Sequence, residues 1–308
     1  MNSAVPDRPS RIYSLGYDYE SQPKEDIAEC NLCKSRVFTV ITHRDRYGYV
    51  AQASLCSECG LVMLNPRMTP QAYARFYRDI YRPLVSAYHG RLIDARSIQE
   101  EQRIYAQQLA KFLRPFLSRE YRGSLLDIGG STGVVAQHLV RTFDYAATIL
   151  DPAPEELANA EQLDMKVVAG FLEDYAPGQG ECFDLIIMCQ TIDHLLDARN
   201  SLAKIKNLLH PQGLFFVDIV DFRAVYLRNR SVEEAIKIDH PYYLTESAME
   251  AYLKRAGFRI LRKNYAPDHL HVGYACAHGD VKPDFLPSRT EVRMVASEIR
   301  QIQNNTLA

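Results

Sequence analysis

"SLLDIGGSTGVVAQHL", Ser124 to Leu139, reads as a strand, a glycine turn and a helix within sixteen residues. Turns of this kind bring backbone amides close to a nucleotide-like ligand. The nicotinamide fingerprint G-x-G-x-x-G does not fit, because with Gly130 and Gly133 as its last glycines the first would fall on Ile128. An acidic residue two positions before the first glycine does fit: Asp127, Ile128, Gly129, then Gly130-Ser131-Thr132-Gly133. A carboxylate in that place asks for a ligand carrying an ammonium and no phosphate.

Outward from the turn, strands and helices alternate. Strands read as Leu125–Ile128, Ala147–Leu150, Lys166–Ala169, Asp184–Cys189 and Leu214–Ile219, with helices at Gly133–Arg141, Pro154–Gln162 and Arg199–Leu209. The last helix should stop at His210-Pro211-Gln212-Gly213. Alternation of this sort predicts a parallel sheet covered by helices. Ser247-Ala-Met-Glu250 resembles a capping box opening a helix that ends at Gly257. Strands Phe258–Tyr265 and His271–Ala277 follow, joined by a turn too short for a crossover helix, so they form an antiparallel hairpin. The expected fold is α/β, Rossmann-like, with a seven-stranded mostly parallel sheet and an antiparallel C-terminal hairpin.

The rest of the 308 residues exceeds what one average domain needs. Apolar residues make up 47% and charged residues 24%, with net charge -2. That charge disfavours a protein that lives on phosphate backbones. No apolar run reaches the ~18 residues of a membrane span, and the N-terminus lacks the apolar region of a signal peptide. These signs point to a cytoplasmic protein. Of seven cysteines, Cys30, Cys33, Cys56 and Cys59 form C-x2-C-x22-C-x2-C around a strand-like Val37–Thr42, which reads as a structural zinc module closed to water. The expected division is an arm over 1–23, a zinc ribbon over 24–70, a helical connector over 71–120, the α/β domain over 121–278 and a polar tail over 279–308. The connector reads as interrupted at Pro83, with Ile104, Leu109, Leu113 and Phe116 on a buried face. A short tail helix is expected at Glu291–Gln303.

From Ser124 to His278 the chain resembles the class I S-adenosylmethionine-dependent methyltransferases. The resemblance rests on the glycine turn, on Asp151 in "TILDP", and on "AGFLEDY", "FDLIIMCQTIDHLLD", "LLHPQGLFFVDI" and "IDHPYYLTESAMEAYLKRAGFRI", all in consecutive order. The lead-in "CNLC…CSECGLVMLNPRMTPQAYARFYRDIY" is similar to the zinc-binding segment of a branch that often methylates sugars, polysaccharides or natural products. Some ribosomal RNA methyltransferases also carry an N-terminal zinc site. Ser131 departs from the family's D-x-G-x-G-x-G, and Phe171 stands where many relatives place a polar adenine contact.

The resemblance implies a cofactor site. Asp127 would face the ammonium, and Gly129, Gly130 and Gly133 would admit the methionine part. Asp151 with Pro152 would take the ribose, Phe171 and Leu172 the adenine, and Gln190 would close the fourth strand. A hydroxyl acceptor also needs a general base. His240, between Asp239 and the tyrosines Tyr242 and Tyr243, is the leading candidate, with His194 as the second or as a packing histidine. Some ubiquinone-pathway O-methyltransferases bind a divalent cation through E-x-x-E-H. Here those positions read Gln190-Thr-Ile-Asp193-His194, and loss of the first carboxylate argues against an active-site metal. His269, His271 and His278 are assigned to structure. The acceptor pocket is expected between Asp193–His194, Asp221–Phe222 and Asp239–Tyr243, with Tyr81 or Tyr88 at its mouth. The expected acceptor is a small, hydroxyl-rich molecule. An RNA base gripped through the ribbon, or a non-catalytic protein that binds the cofactor and a partner, are the alternatives.

Overall fold

The computed structural model describes residues 6–117, 123–163, 165–178 and 180–306, so the domain boundary expected at 120/121 lies outside the described residues. Helix α1 (Arg8–Tyr13) is followed by β1 (Lys24–Glu25), β2 (Phe38–Arg44), β3 (Val50–Cys56), β4 (Val62–Leu64) and β5 (Arg67–Met68). Three helices come next, α2 (Pro70–Asp79), α3 (Tyr81–His89) and α4 (Gln99–Leu113). The alternating part then runs β6 (Gly123–Ile128), α5 (Val134–Phe143), β7 (Tyr145–Asp151), α6 (Pro154–Glu161), β8 (Lys166–Ala169), β9 (Phe183–Met188), α7 (Ala198–Leu208) and β10 (Leu209–Val220). It closes with α8 (Phe222–Asn229), β11 (Tyr242–Tyr243), α9 (Glu246–Ala256), β12 (Phe258–Tyr265), β13 (His271–His278) and α10 (Arg289–Thr306).

Seven strands form one sheet in the order β12-β13-β10-β9-β6-β7-β8. The five from β10 to β8 pair in parallel, and β13 lies antiparallel between β10 and β12. The seven-stranded, mostly parallel sheet with its terminal hairpin is as the sequence predicts. Leu185, Ile186, Ile187 and Met188 of the central β9 are completely buried, as a strand covered on both faces must be. The chain leaves β6 toward one edge and returns through β9 toward the other. The carboxyl ends of β6 and β9 therefore flank the topological switch point, where ligands bind in such sheets.

A second, antiparallel sheet has the order β11-β4-β3-β2. Its edge strand β11 comes from the C-terminal half, with Tyr242 opposite Met63 and Tyr243 opposite Val62. Cys30, Cys56, Cys59, Leu61 and Met63 share one apolar cluster with Ile192, Tyr242 and Tyr252. The cysteine module thus continues the core of the α/β part rather than hanging from it.

Several local expectations need correction. Thr245, not Ser247, caps α9, its hydroxyl accepting the Ala248 N–H at 3.3 Å. The capping hydroxyl sits two positions earlier because β11 delivers the chain directly to Thr245. The connector breaks at Ile80, and Pro83 is absorbed in the first turn of α3, where a missing N–H costs nothing. Ile104 is 50% exposed, because the buried stripe of α4 runs through Ala106, Leu109, Ala110 and Leu113. His210–Gly213 belongs to β10 instead of a free turn, with a register shift between Leu209 and Leu214 absorbing the proline. Residues 6–23, expected to be loosely ordered, carry α1 and bury Ile12 and Tyr19. The tail helix is longer than expected and packs back on the module through Val295 and Ile299, with Gln303 bonded to the Ile41 carbonyl. No helix among the described residues is long and apolar enough to cross a membrane.

Candidate active site and cysteine cluster

A cavity of about 390 Å³ opens at the switch point. Its sheet side is made by Asp127, Gly129, Gly130, Asp151, Pro152, Phe171, Leu172 and Gln190, all of them anticipated from the sequence. The opposite side comes from α2 to α4 and includes Tyr77, Tyr81, Arg82, Gln102 and Tyr105.

Gly129 has φ +71°, and a Cβ there would collide with Thr191. Gly133 behaves differently. It lines no part of the cavity but starts α5 in the left-handed region, where a Cβ would meet Met165 at 2.8 Å and Ala160 at 2.9 Å. Its role in the structure is helix packing.

Asp127 is 1% exposed, and its Oδ2 has no hydrogen-bond partner. Burial, with a smaller contribution from the Asp151 carboxylate, pushes its pKa up to about 8. A buried carboxylate oxygen without a donor costs stability, so this one is waiting for a cation or a donor from a ligand. That fits an amino-acid ammonium. Asp151 accepts the Ser131 N–H at 2.9 Å and the Ala153 N–H at 2.8 Å, which fixes its carboxylate at the cavity rim. Burial raises it to about 6.

The two candidate histidines lie against each other, ring centroids 4.5 Å apart, yet in different surroundings. His240 is 7% exposed and does not line the cavity. Its Nδ1 lies 2.8 Å from Asp193 and its Nε2 3.3 Å from Asp239. Burial is the largest influence and opposes its charge, but the Asp193 and Asp239 carboxylates together outweigh it and its pKa is raised. Burial likewise works against both carboxylates, and the His240 ring holds each of them well below the usual range. The result is a buried imidazole between two carboxylates that favour its protonated form, with the Lys237 ammonium 3.4 Å from Nε2 working against it.

His194, on a short 3-10 turn over Ile192–His194, does line the cavity. Burial, then the neighbouring His240 cation, lowers its pKa to about 4. Tyr77 gives its hydroxyl proton to the Asp239 carbonyl at 2.6 Å. The 2.5 Å contact between the same hydroxyl and His194 Nδ1 must therefore be donated by the histidine. This fixes the neutral tautomer with Nδ1 protonated and Nε2 basic.

The expected acceptor pocket is correspondingly rearranged. Phe222 is buried among Tyr226 and Tyr243, and Asp239 to Tyr243 stand behind His194 instead of around the ligand space. The pairing of β11 with β4 draws Tyr242 and Tyr243 into the second sheet. Tyr81 lines the cavity, whereas Tyr88 lies outside it, accepting from Arg46 and donating to Glu234. Sequence reasoning missed Tyr77. Its signal was the spacing Tyr73, Tyr77, Tyr81, one aromatic every fourth residue.

The four cysteines predicted from spacing come together. Cys30 and Cys59 Sγ lie 3.5 Å apart, as do Cys33 and Cys56, and all four fall within 4.8 Å of one another. A tetrahedral zinc with bonds of about 2.3 Å would separate its sulfurs by about 3.8 Å, so the donor set fits that ion. None is in a disulfide. The other such cluster among the described residues is Asp193, His194 and His240, whose contacts are those given above.

Comparisons with known proteins agree on the fold. A family model described as a methyltransferase domain matches residues 98–263, more than half of the chain. A ubiquinone biosynthesis O-methyltransferase from Methylobacterium sp. (strain 4-46) is 31% identical over 109 residues, 32% of this chain. The match spans 41% of that relative's length. Among solved structures, the plantazolicin methyltransferase in complex with SAH superposes with TM-score 0.50 at 14% identity, covering 67% of this chain and 94% of that one. The mitomycin 7-O-methyltransferase gives TM-score 0.50 at 15% identity, covering 67% and 60%.

Proposed function

We propose that this chain, which belongs to the methyltransferase-domain family, transfers a methyl group from S-adenosylmethionine to a small hydroxyl-bearing acceptor such as a sugar, glycan precursor or natural-product intermediate. The observation that carries the reading is the orphaned Asp127 carboxylate beneath the glycine turn, in one cavity with a neutral histidine. The names of the ubiquinone and mitomycin O-methyltransferases support a hydroxyl acceptor.

In this reading Asp127 pairs with the cofactor's ammonium and Asp151 accepts from its ribose hydroxyls. Phe171 and Leu172 border the adenine, and Gln190 closes the methionine end. The bound cofactor supplies an electrophilic methyl on a sulfonium. The protein's part is to hold the acceptor in line with it, to exclude water and to remove a proton. His194 Nε2 takes the acceptor's proton, while Tyr77 holds the tautomer. His240 with Asp193 and Asp239 holds the loop behind it. A phosphate-rich acceptor such as RNA is poorly served, since among the described residues Arg82 is the one Lys or Arg lining the cavity and it is paired with Glu156.

The raised pKa of Asp127 provides a test. At pH 7 a carboxyl with pKa about 8 is mostly protonated, and an incoming ammonium favours its ionised form. Binding of S-adenosylhomocysteine at pH 7 should release close to one proton per site. Calorimetry in buffers of different ionisation enthalpy measures it. Binding heats that do not depend on the buffer, or proton uptake, would remove Asp127 from the ammonium's side.

A further inference from the structure

Ser131 occupies a place where glycine would be easier. Its φ is +49°, in the left-handed region that a side chain tolerates poorly. Something must offset that cost, and the hydroxyl shows what. It donates to one oxygen of the Glu156 carboxylate on α6. The other oxygen of Glu156 accepts from Arg82 on α3, with the Arg82 Nε at 2.7 Å. Glu156 is only 9% exposed, so the bridge is sheltered from solvent.

The next residue repeats the pattern on another helix. Thr132 is fully buried, and its hydroxyl donates to the Gln102 side chain of α4 at 2.5 Å. The Ser131 hydroxyl thus reaches α3 through Glu156 of α6, while Thr132 holds α4 directly. Both helices contribute to the cavity's roof: α3 supplies Tyr81 and Arg82, and α4 supplies Glu101, Gln102 and Tyr105. Between them the chain is non-helical after Gly90, whose φ of +68° ends α3. Helix α4 is anchored on α5 by Leu109, Ala110 and Leu113, whereas Leu84 of α3 packs with the second-sheet core. The roof thus spans two cores, and the turn's hydroxyls tie both parts of it to the floor.

We propose that Ser131 and Thr132 are the two catches of a helical lid, whose bonds to Glu156–Arg82 and to Gln102 must open for the cofactor to enter or leave. The inference rests on the cofactor reading above. It accounts for Ser131 in place of the family's glycine, because a glycine there would give the turn but no catch. Arg82, Glu156 and Gln102 are then positioning residues that set how long the cofactor stays.

Stopped-flow binding of S-adenosylhomocysteine to the full chain tests this. Ser131→Gly is the sharpest variant, since glycine suits φ +49° and the melting temperature should hold or rise. Losing a charge-assisted bond should raise the dissociation rate about tenfold. Because an opened lid also admits ligand faster, the association rate should rise with it and Kd should change by less than about threefold. Arg82→Ala and Thr132→Val should behave alike, and Ser131→Gly with Thr132→Val should multiply their effects. Dissociation rates within twofold of wild type in both Ser131→Gly and Arg82→Ala would overturn the lid. So would faster dissociation with unchanged association, which would make the hydroxyl a direct ligand contact. A wild-type chain that does not bind S-adenosylhomocysteine at all would instead overturn the cofactor reading.

Discussion

Replacing His194 with alanine is expected to lower the methylation rate at least about a hundredfold while leaving S-adenosylhomocysteine affinity within about twofold, the loss typical of a missing general base. The expectation follows from where the imidazole sits and which nitrogen is basic. His194 lines the cavity, and its Nδ1–H is committed to Tyr77. Its pKa near 4 keeps it unprotonated throughout the neutral range. Turnover should therefore stay flat as pH falls from 8 to about 5 and decline only as His194 takes its proton near 4. An unperturbed histidine would give a limb near 6.5. His240→Gln supplies the internal check. Removing the neighbouring positive charge should raise the His194 pKa and move the acid limb upward, without the full loss seen for His194→Ala. A His194→Ala enzyme with normal turnover, or an acid limb that stays near 6.5 in wild type, would contradict the assignment.

The second large effect belongs to the cysteine cluster. Purified protein should contain one zinc per chain, and Cys56→Ser or exhaustive chelation should lower the melting temperature by more than about 10 °C, because a structural zinc site is worth on the order of 10 kcal/mol of folding free energy. The disturbance should reach the histidine loop. Asn31, between the first two cysteines, donates to Asp197 at 2.8 Å and accepts from the Arg199 N–H and the Tyr252 hydroxyl. Arg67 and Tyr242 both donate to the Leu196 carbonyl. Asp45, in the turn between β2 and β3, accepts the Ile238 N–H at 3.1 Å, two residues from His240. Stripped protein should lose turnover along with the module's thermal transition. Elemental analysis without zinc, and four thiols that titrate freely in native protein, would reject the site.

The parallel strands of the main sheet and its terminal hairpin could be anticipated from residues 124 to 278 because each parallel strand is a short apolar run set off by a helix period. The cysteine quartet was legible from spacing alone. What the sequence concealed is non-local pairing. Nothing in "HPYYLT" signals that Tyr242 and Tyr243 will add a strand to β4, since a two-residue strand has no period. That pairing is what pulls His240 behind the wall and leaves His194 in the cavity. The sequence puts Asp239 beside His240 and both histidines near the same sheet end, but says nothing of Asp193 meeting His240 from another loop. Those carboxylates, far apart in sequence from one another, favour a proton on His240 over one on His194. Ser131 was visible as a departure from the family's glycine, but its purpose needed Glu156 and Arg82 in space.

Titration calorimetry with S-adenosylhomocysteine, on the wild-type chain and on Asp151→Ala, decides whether the switch-point cavity is the cofactor site. One binding site per wild-type chain is expected, with an affinity weaker by about 1–3 kcal/mol in the variant through loss of the hydrogen bonds to the ribose. No binding by wild type, or equal affinity in the two proteins, would contradict that assignment.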